Sequence, residues 1–211
     1  MDNKSYHPDI YGEALWDFIQ DHEPQDIIVH CDVTEDDIYP TEVFFRNESA
    51  FPEIERYAMK LAKGKILDVG AGSGIHSQYL TGLGLDVHPI DISPKAVKVM
   101  KDMGLENARE LDFFAMNREK YDTIIMLMNG FGIMGTLDRV PEFFTQAKNL
   151  LYPGGQILCD SSDLIYLYEQ EDGSILLDLS KGYYGEVEYQ MEYKNTLGEP
   201  FKWLFIDFET L

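Results

Sequence analysis

The stretch Lys65 to Pro94, KILDVGAGSGIHSQYLTGLGLDVHPIDISP, constrains the fold more than any other part of the chain. Ile66, Leu67 and Val69 make an apolar run short enough for a buried parallel strand, and the chain then passes directly into Gly70, Gly72 and Gly74. Alternate glycines let the backbone turn sharply and approach a ligand, and the amides opening the next helix carry partial positive charge that favours an anion. That helix carries Ile75, Tyr79, Leu80 and Leu83 as its apolar side, stops at Gly84, and returns to a second apolar strand, Val87 to Ile90, ending on Asp91. A carboxylate there accepts hydrogen bonds from ribose hydroxyls. Strand, glycine loop, helix and strand together predict a nucleotide-binding turn in an α/β sheet.

The spacing narrows the nucleotide. A dinucleotide fingerprint reads G-x-G-x-x-G/A, but the last position counted from Gly70 is Ile75, whose branched side chain prevents close helix packing. The pattern is instead G-x-G-x-G, preceded by Asp68 at the strand end, and this carboxylate beside free amides suits a ligand that carries an ammonium next to a carboxylate. It resembles the class I S-adenosylmethionine-dependent methyltransferases. The resemblance implies that Asp68, Gly70, Ala71, Gly72 and Gly74 hold the methionine end of the cofactor and that Asp91, with Ile92, holds the ribose.

Further features follow in the family's order. Ser93 and Pro94 start a helix that Gly104 stops; Ala108 to Leu111 reads as a third strand, leading to Asp112 and Phe113. The resemblance places those two residues at the adenine, while Asp112 serves equally well as the cap of a short turn. Tyr121 to Leu127 is apolar almost throughout, as a central strand should be, and ends in Met128-Asn129-Gly130-Phe131-Gly132, beside the cofactor by resemblance. Asn129 falls where amino-methyltransferases carry Asn/Asp-Pro-Pro-aromatic, but glycine replaces the prolines, so the acceptor atom stays open. Asn129 is either a substrate contact or a loop hydrogen bonder. A helix from about Val140 to Leu151, a Pro-Gly-Gly turn and a strand from Gln156 to Asp160 complete a resemblance that covers about residues 50 to 160. Asp160, at a strand's carboxyl end, meets substrate or caps a helix.

Outside that core, Ile10 to Gln20 predicts an amphipathic helix that packs as a lid or flank. Phe51 to Lys63 predicts another, with Phe51, Ile54, Tyr57, Ala58 and Leu61 inward and Ser49 as its cap. Arg46, just upstream, is a candidate for the cofactor's carboxylate. His30, Cys31 and Asp32 alternate sides on an extended chain, so no metal site is expected. Val187 to Tyr193 and Phe201 to Ile206 predict a hairpin, which either completes the methyltransferase sheet or covers the substrate crevice. In the second case, the one favoured, Asp207 caps a truncated helix, and the missing final strands leave a sheet edge that invites pairing with another copy. The expected architecture is an α/β, doubly wound, mostly parallel Rossmann-like sheet with flanking helices and a C-terminal antiparallel hairpin. Its segments are a lid (1–49), a cofactor-binding core (50–160) and a cover (161–211).

Charge and composition bound the function. A net charge of −21 repels a phosphate backbone and argues against nucleic-acid substrates. The polar start MDNKSYHPDI has no leader pattern, and no run of about 18 apolar residues occurs, which predicts a cytoplasmic protein without a membrane segment. Cys31 and Cys159 make no disulfide framework. The sequence therefore predicts an S-adenosylmethionine-dependent methyltransferase acting on a small molecule, with Asn129 and Asp160 as candidate catalytic residues. Its rivals are an NAD(P)-dependent oxidoreductase and a non-catalytic S-adenosylmethionine binder.

Overall fold

A computed structural model describes residues 8–178, 180 and 182–211; the first seven residues of the polar start lie outside them. Its centre is a five-stranded parallel sheet formed by β3 (Lys65–Val69), β4 (Asp86–Asp91), β5 (Arg109–Glu110), β6 (Tyr121–Met126) and β7 (Leu151–Cys159), in the order β5-β4-β3-β6-β7. The near-continuous apolar runs of β3 and β6 follow from burial on both faces. On one face Ile66, Val87 and Ile125 pack with Ala58, Met59 and Leu80, from helices α2 (Glu53–Leu61) and α3 (Ile75–Gly82). On the other, Leu67, Ile124 and Met126 pack with Phe143, Ala147 and Leu150 of α5 (Val140–Leu150). The helices on both faces give the expected doubly wound Rossmann-like arrangement.

The N- and C-terminal segments build a second, antiparallel sheet from β1 (Ile27–Cys31), β2 (Asp37–Tyr39), β8 (Glu186–Tyr193) and β10 (Phe201–Leu204), in the order β10-β8-β1-β2, with the short β9 (Thr196–Leu197) on β8. The hairpin is thus as expected, but it pairs with the N-terminal strand, Val29 opposite Met191, and does not complete the parallel sheet. Helix α1 (Ile10–Gln20) joins this sheet to the core: Ile10 and Ala14 pack on Ile27, Val29 and Tyr193, while Leu15 packs on Ala96 and Val99 of α4 (Pro94–Asp102). Asp9 fixes the joint, since its carboxylate accepts hydrogen bonds from Gly12 N (3.0 Å), Ser93 Oγ (2.7 Å) and Lys95 N (3.2 Å).

Four local expectations are corrected. Ser49 does not cap α2: that helix starts after Pro52 with no side-chain cap, and Asn47 instead caps a short turn at Glu48–Ala50. Nor does α2 turn all of the expected face inward: Phe51 and Ala58 are buried, but Ile54, Tyr57 and Leu61 are not. Tyr57 is 64% and Ile54 55% exposed, whereas Glu55 is buried, because Arg46 and His76 both hold its carboxylate. Leu83, 60% exposed, lies beyond the buried turn of α3. The third strand shortens to Arg109–Glu110.

Candidate active site

The glycine loop runs from the end of β3 into α3. Gly70, Gly72 and Gly74 have φ of 67°, 58° and 83°, the left-handed region that a Cβ disfavours. A Cβ on Gly70 would meet nothing within 4 Å, so the loop faces open space there. Asp91 clamps the loop from the end of β4: its carboxylate accepts hydrogen bonds from Gly72 N and Ser93 N, both at 2.8 Å. Asp68 accepts one from Ser77 Oγ at 2.7 Å. Burial raises the pKa of both carboxyls; the Ser93 and Gly72 amides oppose this at Asp91, the His76 charge and the Ser77 hydroxyl at Asp68. Ala71 lies in the loop, its amide bonded to Ile90 O at 3.0 Å. Ile92, 75% exposed, places bare apolar surface beside Asp91.

Leu111 N bonds to Asp91 O at 2.9 Å, which brings Asp112 and Phe113 to the same end of the sheet. There Asp112 caps the turn through Phe114 N (2.9 Å) and Phe113 is buried core. Arg46 reaches the same rim differently. Its guanidinium pairs with Glu55, donates to Val43 O at 2.7 Å and lies 3.4 Å from Met128 Sδ. Glu55 also bonds His76 at 2.9 Å. Burial works against the Glu55 carboxylate, but the hydrogen bonds from His76 and Arg46 outweigh it and hold its pKa below the usual carboxylate range. Helical periodicity gave no sign of Glu55; the only available signal was His76, a polar residue on a turn that must be buried.

Beyond β6 the chain takes an uncommon path. Met128 and Asn129 both have positive φ, 61° and 57°, a costly conformation for side chains other than glycine. Asp160, following β7, holds them there by accepting hydrogen bonds from Met128 N (3.1 Å) and Asn129 N (2.7 Å). Its pKa is raised by burial, and the two amides offset part of the rise. Ser162 Oγ donates to Asn129 Oδ1 at 2.9 Å, while Asn129 Nδ2 makes no hydrogen bond among the described residues. The antiparallel sheet roofs this loop, because a Cβ on Gly132 would overlap the Trp203 indole of β10. The roof also brings tyrosines onto carboxylates: the Tyr183 hydroxyl donates to Asp207 at 2.6 Å, and the Tyr184 hydroxyl, with one hydrogen to donate, lies 2.8 Å from Asp163 and 3.2 Å from Asp207.

The two halves of the site therefore lie at the carboxyl end of one parallel sheet, where open α/β folds bind ligands. Arg46, Asp68, Asp91, Met128, Asn129 and Asp160 gather there through direct or shared contacts, and Ala71, Ile92, Asp112 and Phe113 extend the rim along β4 and β5. No His, Cys, Asp or Glu cluster among the described residues has the makings of a metal site.

Such a fold and rim are those of a nucleotide-binding α/β protein. The methyltransferase domain family matches residues 44–192, and the chain belongs to it, within the class I S-adenosylmethionine-dependent methyltransferases. It is 45% identical to a methyltransferase from Bacteroides fragilis solved in complex with S-adenosyl-L-homocysteine, with a TM-score of 0.89 over 96% of this chain and 82% of that one. A methyltransferase from Clostridium acetobutylicum, 13% identical, shares the fold with a TM-score of 0.55 over 77% of this chain and 78% of that one. Among curated proteins it is 32% identical to the ubiquinone biosynthesis O-methyltransferase of Xanthomonas oryzae pv. oryzae, over 47% of this chain. The chain spans 43% of that relative's length.

Proposed function

We propose that the protein binds S-adenosylmethionine across the glycine loop and methylates a small-molecule acceptor seated beside Asn129 and Asp160. The observation that carries this reading is the pair of buried carboxylates, Asp68 and Asp91, bracketing a left-handed glycine loop whose Gly70 faces open space. The donor set fits the cofactor. Two amides occupy the Asp91 carboxylate, which has lone pairs left for ribose hydroxyls. Asp68 offers negative charge to an ammonium group, and exposed Ile92 offers apolar surface to a base.

When bound, the cofactor supplies an electrophilic methyl group on a sulfonium. What remains for the protein is alignment, which contributes roughly 7 to 11 kcal/mol when reacting groups are held in near-attack geometry. Asn129, held at positive φ by Asp160, is placed to orient the acceptor through its amide. Asp160 is the candidate to receive the acceptor's proton, since burial raises its basicity. The net charge of −21 favours a small acceptor over a nucleic acid, and the curated relatives, named for ubiquinone biosynthesis and O-methylation, point the same way. The acidic rim formed by Asp160, Asp163 and Asp207 disfavours an anionic acceptor.

Thermal denaturation with ligands tests the reading. A ligand present at about 100 times its dissociation constant adds roughly 2.7 kcal/mol, and each kcal/mol moves the midpoint of a chain this size by about 2 to 4 °C. S-adenosylmethionine and S-adenosylhomocysteine should each raise the midpoint by several degrees and NAD should not. A rise with NAD alone would promote the oxidoreductase reading. A rise with both sulfur ligands but no homocysteine-nucleoside release over a panel of acceptors would leave a binder in place of an enzyme.

A further inference from the structure

The lid helix α1 brings one side chain onto the glycine loop. A Cβ on Gly72 would overlap the Tyr11 hydroxyl, so the phenol oxygen lies directly against the backbone of the middle glycine. The ring is fixed from two sides: it stands edge-on to Phe44 at 5.1 Å, and α1 is pinned to the start of α4 through Asp9. Ser73 Oγ bonds to Phe44 O, which ties the same aromatic pair to the loop. The Tyr11 hydroxyl nevertheless makes no hydrogen bond among the described residues, although burial and the neighbouring Asp91 charge keep it protonated and hence a donor.

An unpaired donor in that position has a specific use. The site is rich in acceptors, with Asp68 and Asp91 on either side of the loop, and these suit an ammonium group and ribose hydroxyls. The cofactor's α-carboxylate needs donors. The amides opening α3 supply some, and the Arg46 guanidinium is already shared among Glu55, Val43 and Met128. We infer that Tyr11 donates its hydroxyl hydrogen bond to the carboxylate of the bound cofactor's amino-acid end, so that α1 is part of the cofactor site and not only a flank. This rests on the proposed cofactor reading, and the test separates the two.

The experiment compares wild type and Tyr11→Phe with two ligands by calorimetry: S-adenosylhomocysteine, and 5′-methylthioadenosine, which keeps the nucleoside and thioether but lacks the amino acid. Loss of a hydrogen bond to a charged group should weaken S-adenosylhomocysteine binding by about 10-fold to 100-fold. Binding of 5′-methylthioadenosine and the midpoint of the ligand-free protein should stay as in wild type. Unchanged S-adenosylhomocysteine affinity would overturn the assignment. Equal weakening of both ligands would overturn it too, placing Tyr11 at the nucleoside or in the fold alone. Failure of the wild type to bind either ligand would instead overturn the cofactor site, and Tyr11's role with it.

Discussion

The proposed cofactor half of the site and the proposed acceptor half are built in opposite ways. The first is nearly contiguous in sequence: Asp68 to Ser77 and Asp91 to Ser93 make most of its contacts to one another, through Gly72 N, Ser77 Oγ and Ser93 N. The second is gathered from Met128 and Asn129, from Asp160 and Ser162, and from Trp203 on the roof. Each half also stores backbone strain differently. The glycine loop puts glycines at its positive φ angles, where the conformation costs little, while the loop after β6 puts Met128 and Asn129 there and relies on Asp160 to hold them.

The largest effect that could break this comparison comes from Gly72→Val. A β-branched residue at φ 58° is strained and its Cβ overlaps the Tyr11 hydroxyl, so S-adenosylhomocysteine binding should fall below detection by calorimetry while far-ultraviolet dichroism still reports the folded sheet. Normal binding by the folded variant would mean that the loop does not approach the ligand.

A smaller effect is expected from Asp160→Ala, which strips the Met128 and Asn129 amides of their partner. Each lost hydrogen bond costs about 1 kcal/mol, so the midpoint should drop by several degrees, with the S-adenosylhomocysteine affinity within about twofold of wild type. An affinity loss as large as that of a loop variant would show that the halves are one unit.

The smallest effect is a pH dependence that both halves share. Burial raises the pKa of Asp68, Asp91 and Asp160, so at these groups the folded ligand-free protein holds protons more tightly than the unfolded chain. Its stability should therefore rise as pH falls from neutral through the raised values toward the ordinary carboxylate range near about 4. Glu55, Glu119 and Asp207 contribute in the opposite sense: held low by hydrogen bonds from His76 and Arg46, from Arg109 and Tyr121, and from Thr210 and Tyr183, they stabilise above that range and their contribution is lost only below it. Thermal denaturation across this window checks the sign, and Asp160→Asn should remove the acceptor half's share alone. A midpoint that falls steadily on acidification from neutral would contradict it.

Legibility in the sequence follows the same division. The strand, glycine loop, helix and strand from Lys65 to Asp91 could be read because neighbours in sequence are neighbours in space there, and glycine spacing reports directly on backbone conformation. The stretch Tyr121 to Leu127 could be read as a central strand because Ile124 to Leu127 make a continuous apolar run buried on both faces, with only Asp122 and Thr123 polar near its start. The inward face of helix α2 could not, since hydrophobic periodicity assumes that charge stays outside, and Glu55 is buried by two partners, Arg46 and His76, that come from other elements. Nor could the place of Tyr11, because nothing within α1 announces that its hydroxyl ends on Gly72. The alternating pattern of residues 186–193 determined a strand and its two faces, but its partner, β1, lies far away in the chain. By itself the sequence determined most of the elements and the glycine loop, whose physics is local. Only the tertiary structure decided that the two ends of the chain pair into one roof, and that Asp160 holds Asn129 beneath it, because those contacts are chosen by long-range packing and hydrogen-bond satisfaction that no local pattern records.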